Sequence, residues 1–309
     1  MNRSEPHFKW VILGHSGQLG GALTRLLQKV RTDDQVIPLS RKEADLSQPE
    51  RCIKLLEKIQ PSIIINASAY TQVDLAETER ELALQINAKT PGIIAFWCAQ
   101  HHIPFIHFSS DYVFSGEGDQ AWKEADATGP LNHYGHSKAI GEQNIIHAGG
   151  QFLIFRTSWV YDSTGKNFLN TMLLLGKNRE TLRIVGDQIG SPTFATDLAL
   201  VSYQCIVTAM GMKIFPSGIY HAVNQGETTW YEFAKKIFEI AQKHQYPLKT
   251  KRLIPIKSRE FPTPAVRPKN SRLNTSKLLK VFNTQLPPWE DGLKRCLEET
   301  FHEDHSNSY

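Results

Sequence analysis

The first half of the chain alternates short runs rich in β-branched and aromatic residues with longer amphipathic runs. This rhythm predicts βαβ units, whose parallel strands are joined by crossover helices and covered on both faces. We predict strands over residues 8–13, 35–39, 62–67, 104–109 and 151–157. We predict helices over residues 18–30, 48–59, 79–101 and 134–146. The pattern is typical of a Rossmann-type, doubly wound parallel sheet of the α/β class, which binds ligands at the carboxyl ends of its strands.

The alternation loosens after about residue 160, where turn-rich segments such as VGDQIGSPT and EFPTPAVRPKNS separate shorter elements. We therefore expect residues 1–160 to form a dinucleotide-binding domain that also carries the catalytic residues. Residues 161–309 are expected to form mainly a smaller α/β lobe that binds the substrate. Residues 185–195 and 230–242 are candidates to return to the first domain.

Charge and apolar pattern exclude several classes of protein. The net charge of +4 comes from 35 basic and 31 acidic residues dispersed along the chain, and no basic block indicates a nucleic-acid partner. The polar start MNRSEPHFKW leads into the first predicted strand, and no apolar run approaches the ~20 residues that a membrane span needs. Four cysteines lack metal-ligand spacing: Cys52, Cys98, Cys205 and Cys296. We expect a soluble cytoplasmic protein with free buried thiols, no membrane or nucleic-acid partner and no metal site.

Three glycines with the spacing GxxGxxG lie between the first predicted strand and the first predicted helix: Gly14, Gly17 and Gly20. Glycines at such a turn let the backbone approach a pyrophosphate, and the helix N-terminus supplies free N–H groups. The spacing differs from the commoner GxGxxG, and a tight turn without ligand is the alternative. Because the pattern falls at the first βα turn, we predict a dinucleotide cofactor.

The second predicted strand ends in Ser40-Arg41, where an NAD-binding fold usually carries an acidic residue for the ribose hydroxyls. A hydroxyl followed by a guanidinium suits a 2′-phosphate, because arginine forms charge-assisted bonds to phosphate. The sequence therefore favours NADPH, with NADH as the alternative cofactor. A solvated turn is the alternative interpretation of these two residues.

Tyr134 and Lys138 are four residues apart, which places both side chains on one face of a predicted helix. A phenol is a poor acid–base group at neutral pH until a cation stabilises its phenolate, and Lys138 is placed to do so. Ser110 follows the strand over 104–109 and supplies a hydroxyl for the substrate carbonyl. The flanking His133 and His136 are alternative acids, although neighbouring helix positions point about 100° away from Tyr134.

Six sequence blocks give the chain a resemblance over nearly its whole length to the extended short-chain dehydrogenase/reductases, and within them to the dTDP-4-dehydrorhamnose reductases. The blocks are NASAYTQVDLAE (66–77), SSDYVFSG (109–116), PLNHYGHSK (130–138), FRTSWVY (155–161), GDQIGSPT (186–193) and PTPAVRPKNSRLNT (262–275). The resemblance implies that Tyr134 protonates the 4-keto oxygen of dTDP-4-dehydro-L-rhamnose while NADPH delivers hydride to the carbonyl carbon. Lys138 would lower the pKa of Tyr134 and hold the nicotinamide ribose.

The same resemblance implies contacts to both ligands. Ser110, where the family usually carries threonine, would bond the developing oxyanion, Asp111 would touch the sugar, and Trp159 would pack over the hexose. The implied cofactor contacts are Gly17, Gln18 and Leu19 at the phosphates, Asp45 and Leu46 at the adenosine, and Ala69, Tyr70 and Thr71 beside the cofactor. Arg267, beside a proline, is our candidate for the sugar diphosphate. The alternatives are a core role for Trp159, a loop cap for Asp111 and an exposed Arg267.

Some family members form dimers through glutamates that hold magnesium, but the corresponding positions here are Gly21, Ala22 and Thr196. These residues argue against a metal-linked dimer and leave a homodimer without a metal as one candidate assembly. Two alternative functions remain. One is a reductase acting on another nucleotide 4-keto sugar, since fold does not fix substrate. The other is a regulatory subunit resembling the β subunit of methionine adenosyltransferase, which shares this fold.

Overall fold

The computed structural model describes residues 8–306, with side chains up to residue 302, and contains a central six-stranded sheet. The polar segment that precedes the first predicted strand lies outside these residues. Every pairing within the sheet is parallel. The strands of the chain are β1 Lys9–Leu13, β2 Gln35–Leu39, β3 Ile63–Asn66, β4 Phe105–Ser110, β5 Phe152–Thr157, β6 Val160–Tyr161, β7 Thr181–Val185, β8 Ile189–Gly190, β9 Thr193–Phe194, β10 Gly218–His221, β11 Thr228–Thr229 and β12 Arg252–Ile256. The order in the sheet is β10-β5-β4-β3-β1-β2, so the predicted α/β class with a parallel sheet is confirmed.

Helices cover both faces of this sheet, as the predicted crossovers require. They are α1 Gln18–Val30, α2 Pro49–Ile59, α3 Arg80–Leu84, α4 Thr90–Gln100, α5 His133–Ala148, α6 Phe168–Asn178, α7 Ala195–Gly211, α8 Trp230–Lys243, α9 Ser276–Phe282 and α10 Trp289–Ser306. One apolar cluster lies between the sheet and α1 with α7, and another between the sheet and α2, α4 and α5. Strands β3, β4 and β5 are buried throughout because apolar layers cover both of their faces.

The prediction of a single continuous helix over residues 79–101 is wrong in one respect. A π-helical segment, Gln85–Lys89, separates α3 from α4. Asn87 lies in this segment with a buried side chain that hydrogen-bonds to a loop and to α5 instead of facing solvent. Side-chain periodicity cannot register such a local change of backbone pitch, and π-turns often occur at functional sites.

The second half of the chain divides between two cores. Helix α7 packs on α1, and β10 extends the main sheet beside β5, so these two elements return to the first half. Helix α8, considered a candidate to return, packs instead with α6 and α10 in a separate apolar cluster. All four cysteines are buried free thiols. Among residues 8–306, no helix is both long and apolar enough to cross a membrane.

Candidate active site

A cavity of about 440 Å³ opens at the carboxyl ends of the main-sheet strands. Twelve of the residues predicted to bind cofactor or act in catalysis line it: Gly14, Gly17, Gln18, Leu19, Arg41, Asp45, Leu46, Ala69, Tyr70, Thr71, Tyr134 and Lys138. The cavity runs from the glycine turn and the end of β2 to the N-terminal half of α5. Parallel strands bring these distant segments together, because their carboxyl ends meet at one edge of the sheet.

The glycine turn has the geometry that a pyrophosphate site requires. Gly14 has a φ of +83°, which a side chain rarely adopts, and its N–H donates to the Leu39 carbonyl at 2.8 Å. Helix α1 begins after Gly17, and no side chain caps its N-terminus. Its free N–H groups and positive dipole end therefore face the cavity, so the turn fits a dinucleotide phosphate.

Gly20 belongs to the glycine pattern but is not among the residues that line the cavity. A Cβ atom on Gly20 would lie 2.1 Å from the carbonyl oxygen of Gly14. Gly20 thus allows α1 to pack directly against the turn, and it acts on the cofactor site through the backbone of Gly14.

The end of β2 presents an arginine and a serine in different environments. Arg41 lines the cavity, with 73% of its side chain exposed and its Nε 3.5 Å from Asp45. Ser40 does not line it, and its hydroxyl bonds to the carboxylate of Glu43. The same carboxylate accepts the Ser40 N–H at 2.8 Å. Glu43, which the sequence analysis missed, therefore occupies the donors of Ser40 that were predicted for a 2′-phosphate. The Ser-x-x-Glu spacing was its available signal.

Asn87 organises the loop beside the cofactor and was also missed. Its Oδ1 accepts the Tyr70 N–H at 2.8 Å, and its Nδ2 donates to the Tyr70 carbonyl at 3.1 Å and to Ser137 Oγ at 2.9 Å. The Ser137 hydroxyl in turn donates to the Tyr134 carbonyl at 2.7 Å. One buried amide therefore ties the cavity-lining loop to the helix that carries Tyr134.

Tyr134 stands in the first turn of α5, which begins with Asn132 accepting the Gly135 N–H at 2.8 Å. Burial raises the pKa of Tyr134 to about 12; the neighbouring Ser110 hydroxyl opposes this shift and the charge of Asp111 adds to it. The phenol therefore stays protonated at neutral pH. Neither His133 nor His136 lines the cavity.

Lys138 lies one turn further along α5 and is almost completely buried. Its Nζ donates to the Phe108 carbonyl at 2.6 Å and lies 3.4 Å from Nε2 of His107. Burial lowers the pKa of Lys138 to about 8, against the attraction of Glu142. Burial is the main influence on the pKa of Tyr134, and Nζ of Lys138 is directed at a carbonyl of β4.

Ser110 and Asp111 lie just beyond the cavity lining, at the end of β4. The Ser110 hydroxyl donates to Asp111 Oδ1 at 2.9 Å and accepts the Tyr112 N–H at 3.1 Å, so Ser110 caps the following 3₁₀ turn. Burial raises the pKa of Asp111 to about 6, and the neighbouring Ser271 and Ser110 hydroxyls oppose this shift. Ser110, Asp111 and Tyr134 thus form one connected polar group.

Trp159 and Arg267 have partners outside the cavity lining. The Trp159 ring is half-buried and stacks on Trp230 with centroids 3.6 Å apart. Arg267 Nη2 lies 2.9 Å from Asp74 Oδ2, and its Nη1 donates to the Ala265 carbonyl at 2.9 Å. Among the described contacts, none links Trp159 or Arg267 to Tyr134 or Lys138.

The described residues also bear on metal binding. Within residues 8–306, no group of three or more His, Cys, Asp or Glu side chains is arranged to hold a metal ion. Gly21, Ala22 and Thr196, where the resemblance led us to look for metal-binding glutamates, carry no carboxylate.

The glycine turn, the cavity at the strand ends and a tyrosine and lysine on one helix face define a nicotinamide-dependent oxidoreductase of the short-chain dehydrogenase/reductase class. A family model described as the RmlD substrate binding domain matches residues 8–301, and the chain belongs to that family.

Relatives over nearly the whole chain agree with this placement. The dTDP-4-dehydrorhamnose reductase of Escherichia coli K12 is 43% identical over 299 residues, covering 94% of this chain and 97% of that protein. The dTDP-4-dehydrorhamnose reductase of Burkholderia thailandensis is 39% identical over 296 residues, covering 94% and 98%. The crystal structure of dTDP-4-dehydrorhamnose reductase from Bacillus anthracis in complex with NADP has a TM-score of 0.87 at 37% identity, covering 95% of this chain and 100% of that one. The resemblance inferred from the sequence blocks is confirmed.

Proposed function

We propose that this chain is an NADPH-dependent reductase that converts dTDP-4-dehydro-L-rhamnose to dTDP-L-rhamnose. The observation that carries the proposal is one cavity lined by the glycine turn at one end and by Tyr134 and Lys138 at the other. Relatives named dTDP-4-dehydrorhamnose reductase, at up to 43% identity over nearly the whole chain, support the substrate, and a related structure in complex with NADP supports the cofactor.

The roles of the side chains follow from their surroundings. Bound NADPH supplies the hydride. Tyr134 holds its proton at neutral pH and donates it to the 4-keto oxygen as charge develops there. Ser110 is close enough to Tyr134 to hydrogen-bond the same oxygen. Lys138 lines the same cavity, supplies positive charge below its pKa of about 8 and would hold the nicotinamide ribose.

Substrate contacts beyond the reacting carbon form part of the same proposal. Asp111 would bind a sugar hydroxyl, and Trp159 would present the part of its ring that Trp230 leaves free to the hexose. Arg267 would exchange its ion pair with Asp74 for the sugar diphosphate. The part of the chain up to residue 160 would then hold mainly the dinucleotide, and the part from residue 161 mainly the nucleotide sugar.

The test is a spectrophotometric assay of NADPH consumption with dTDP-4-dehydro-L-rhamnose. Tyr134→Phe should lower turnover by about 10² or more, the usual scale for losing a general acid, with NADPH affinity nearly unchanged. Tyr112→Phe is the matched control, because its ring packs edge-on against Tyr134 at 5.6 Å. Full activity of Tyr134→Phe would refute the mechanism. Faster reduction of a different nucleotide 4-keto sugar would refute the substrate, and cofactor binding without any turnover would favour a regulatory subunit.

We also propose a cytoplasmic homodimer. The four buried free thiols support a reducing compartment. Light scattering with magnesium and with a chelator tests the assembly. We expect a mass of two chains in both conditions, because Gly21, Ala22 and Thr196 stand where a metal-linked dimer would need glutamates. A mass that falls to one chain in the chelator would contradict the absence of a metal link.

A further inference from the structure

His107 is a buried titratable residue that the proposed mechanism does not use. It lies on β4, three residues before Ser110, and its side chain has no measurable exposure. In the register of the sheet it is the partner of Asn66, at the end of β3. Burial and the charge of Lys138 lower the pKa of His107 well below its usual value, so the ring is neutral.

The amide of Asn66 fixes which ring nitrogen carries the proton. Asn66 Oδ1 accepts the backbone N–H of Ser68 at 3.1 Å, which directs Nδ2 toward the ring. Asn66 Nδ2 lies 3.1 Å from His107 Nδ1, and an amide nitrogen can act there as a donor but not as an acceptor. Nδ1 must therefore accept, and the proton of the neutral ring lies on Nε2.

The protonated Nε2 faces the amine of Lys138 across 3.4 Å. Nζ has a strong acceptor in the Phe108 carbonyl at 2.6 Å, but toward His107 it meets a donor. An ammonium opposite an N–H is disfavoured, whereas a neutral amine can accept that hydrogen. A backbone N–H of Ser68 thus influences Lys138 through two buried side chains.

We propose that His107 is a positioning residue for Lys138, which presents a fixed Nε2–H to the amine, confines Nζ to the Phe108 carbonyl and favours release of the Lys138 proton. Its effect on catalysis rests on the proposed reductase function. Glu142, on the same helix, is a charged group that attracts the Lys138 ammonium, and Arg156 of β5 binds both of its carboxylate oxygens. This ion pair weakens the attraction of Glu142 for the Lys138 ammonium. His107, on β4, also disfavours the ammonium.

The first test is the tautomer itself. Nitrogen-15 NMR of the full chain labelled in histidine should show His107 protonated on Nε2 and unprotonated on Nδ1. A proton on Nδ1 would overturn the proposal. This measurement needs no substrate, so it remains decisive even if the chain turns out to reduce a different sugar or none.

The second test is the pH dependence of kcat/KM with NADPH and dTDP-4-dehydro-L-rhamnose. His107→Gln replaces the fixed N–H by an amide whose oxygen can accept a hydrogen bond from Nζ. The alkaline limb of the pH profile, where kcat/KM falls, should therefore shift to higher pH by about 0.5 to 1 unit. Ile106→Val is the matched control, since Ile106 packs on the opposite face of β4 and should leave the limb in place. A limb that stays in place in His107→Gln, or moves equally in Ile106→Val, would show a purely structural role and overturn the proposal.

Discussion

Gly20 gives the sharpest structural test of the cofactor site. In Gly20→Ala the new Cβ would lie 2.1 Å from the Gly14 oxygen and 2.7 Å from the Gly14 carbonyl carbon. Both are backbone atoms, so no side chain can rotate away, and α1 must move back by about 1.3 Å or more to reach an ordinary contact. Overpacking of this kind costs about 1–3 kcal/mol, more than the ~0.5–1 kcal/mol that alanine gains over glycine within a helix.

The next residue provides a matched control. A Cβ on Gly21 would lie 3.4 Å from its nearest neighbours, the Arg25 guanidinium and the His15 carbonyl oxygen. Gly21→Ala makes the same chemical change one position along the same helix without a backbone clash. It should therefore stabilise the chain by up to about 0.5–1 kcal/mol.

Urea unfolding and NADPH titration together measure both effects. Gly20→Ala should lower the free energy of unfolding by about 1–2 kcal/mol and weaken NADPH binding by about tenfold or more, because a displaced turn misaligns charge-assisted N–H bonds to phosphate. Gly21→Ala should retain the affinity. If Gly20→Ala matches Gly21→Ala in both stability and NADPH affinity, the close approach of α1 to Gly14 is not what shapes this site.

Three further predictions follow from other contacts. Because the Lys138 ammonium is lost as pH rises through its pKa of about 8 while Tyr134 stays protonated, kcat/KM should fall above pH 8, and a flat profile to pH 10 would contradict this role. Glu43→Gln should raise the affinity for NADPH several-fold relative to NADH, measured by fluorescence titration, since it removes a negative charge from the Ser40 donors; equal changes for both cofactors would contradict it. Glu142→Gln should lower the free energy of unfolding in urea by about 3–5 kcal/mol, because it leaves Arg156 charged and unpaired where both side chains are 3% exposed; a loss below 1 kcal/mol would contradict it.

The sequence by itself determined most of the secondary structure of the first half and the candidate catalytic pair. Strand and helix periodicities are local, so predicted elements such as β4 and α5 agree with the structure within one or two residues. The spacing of Tyr134 and Lys138 fixes their common helix face for the same reason. The order of glycine turn, strand and helix then sufficed to predict that one cavity would bring them together.

Only the tertiary structure decided what each polar side chain contacts. Asn66 meets His107 through the register of two strands, across 41 positions of sequence, and Asn87 meets Ser137 across 50. Such partners depend on how strands align and how closely helices pack, and no local periodicity records either. The same reason explains Gly20, whose neighbour is a backbone oxygen, and the pKa of Tyr134, which burial raises although a lysine lies one helical turn away.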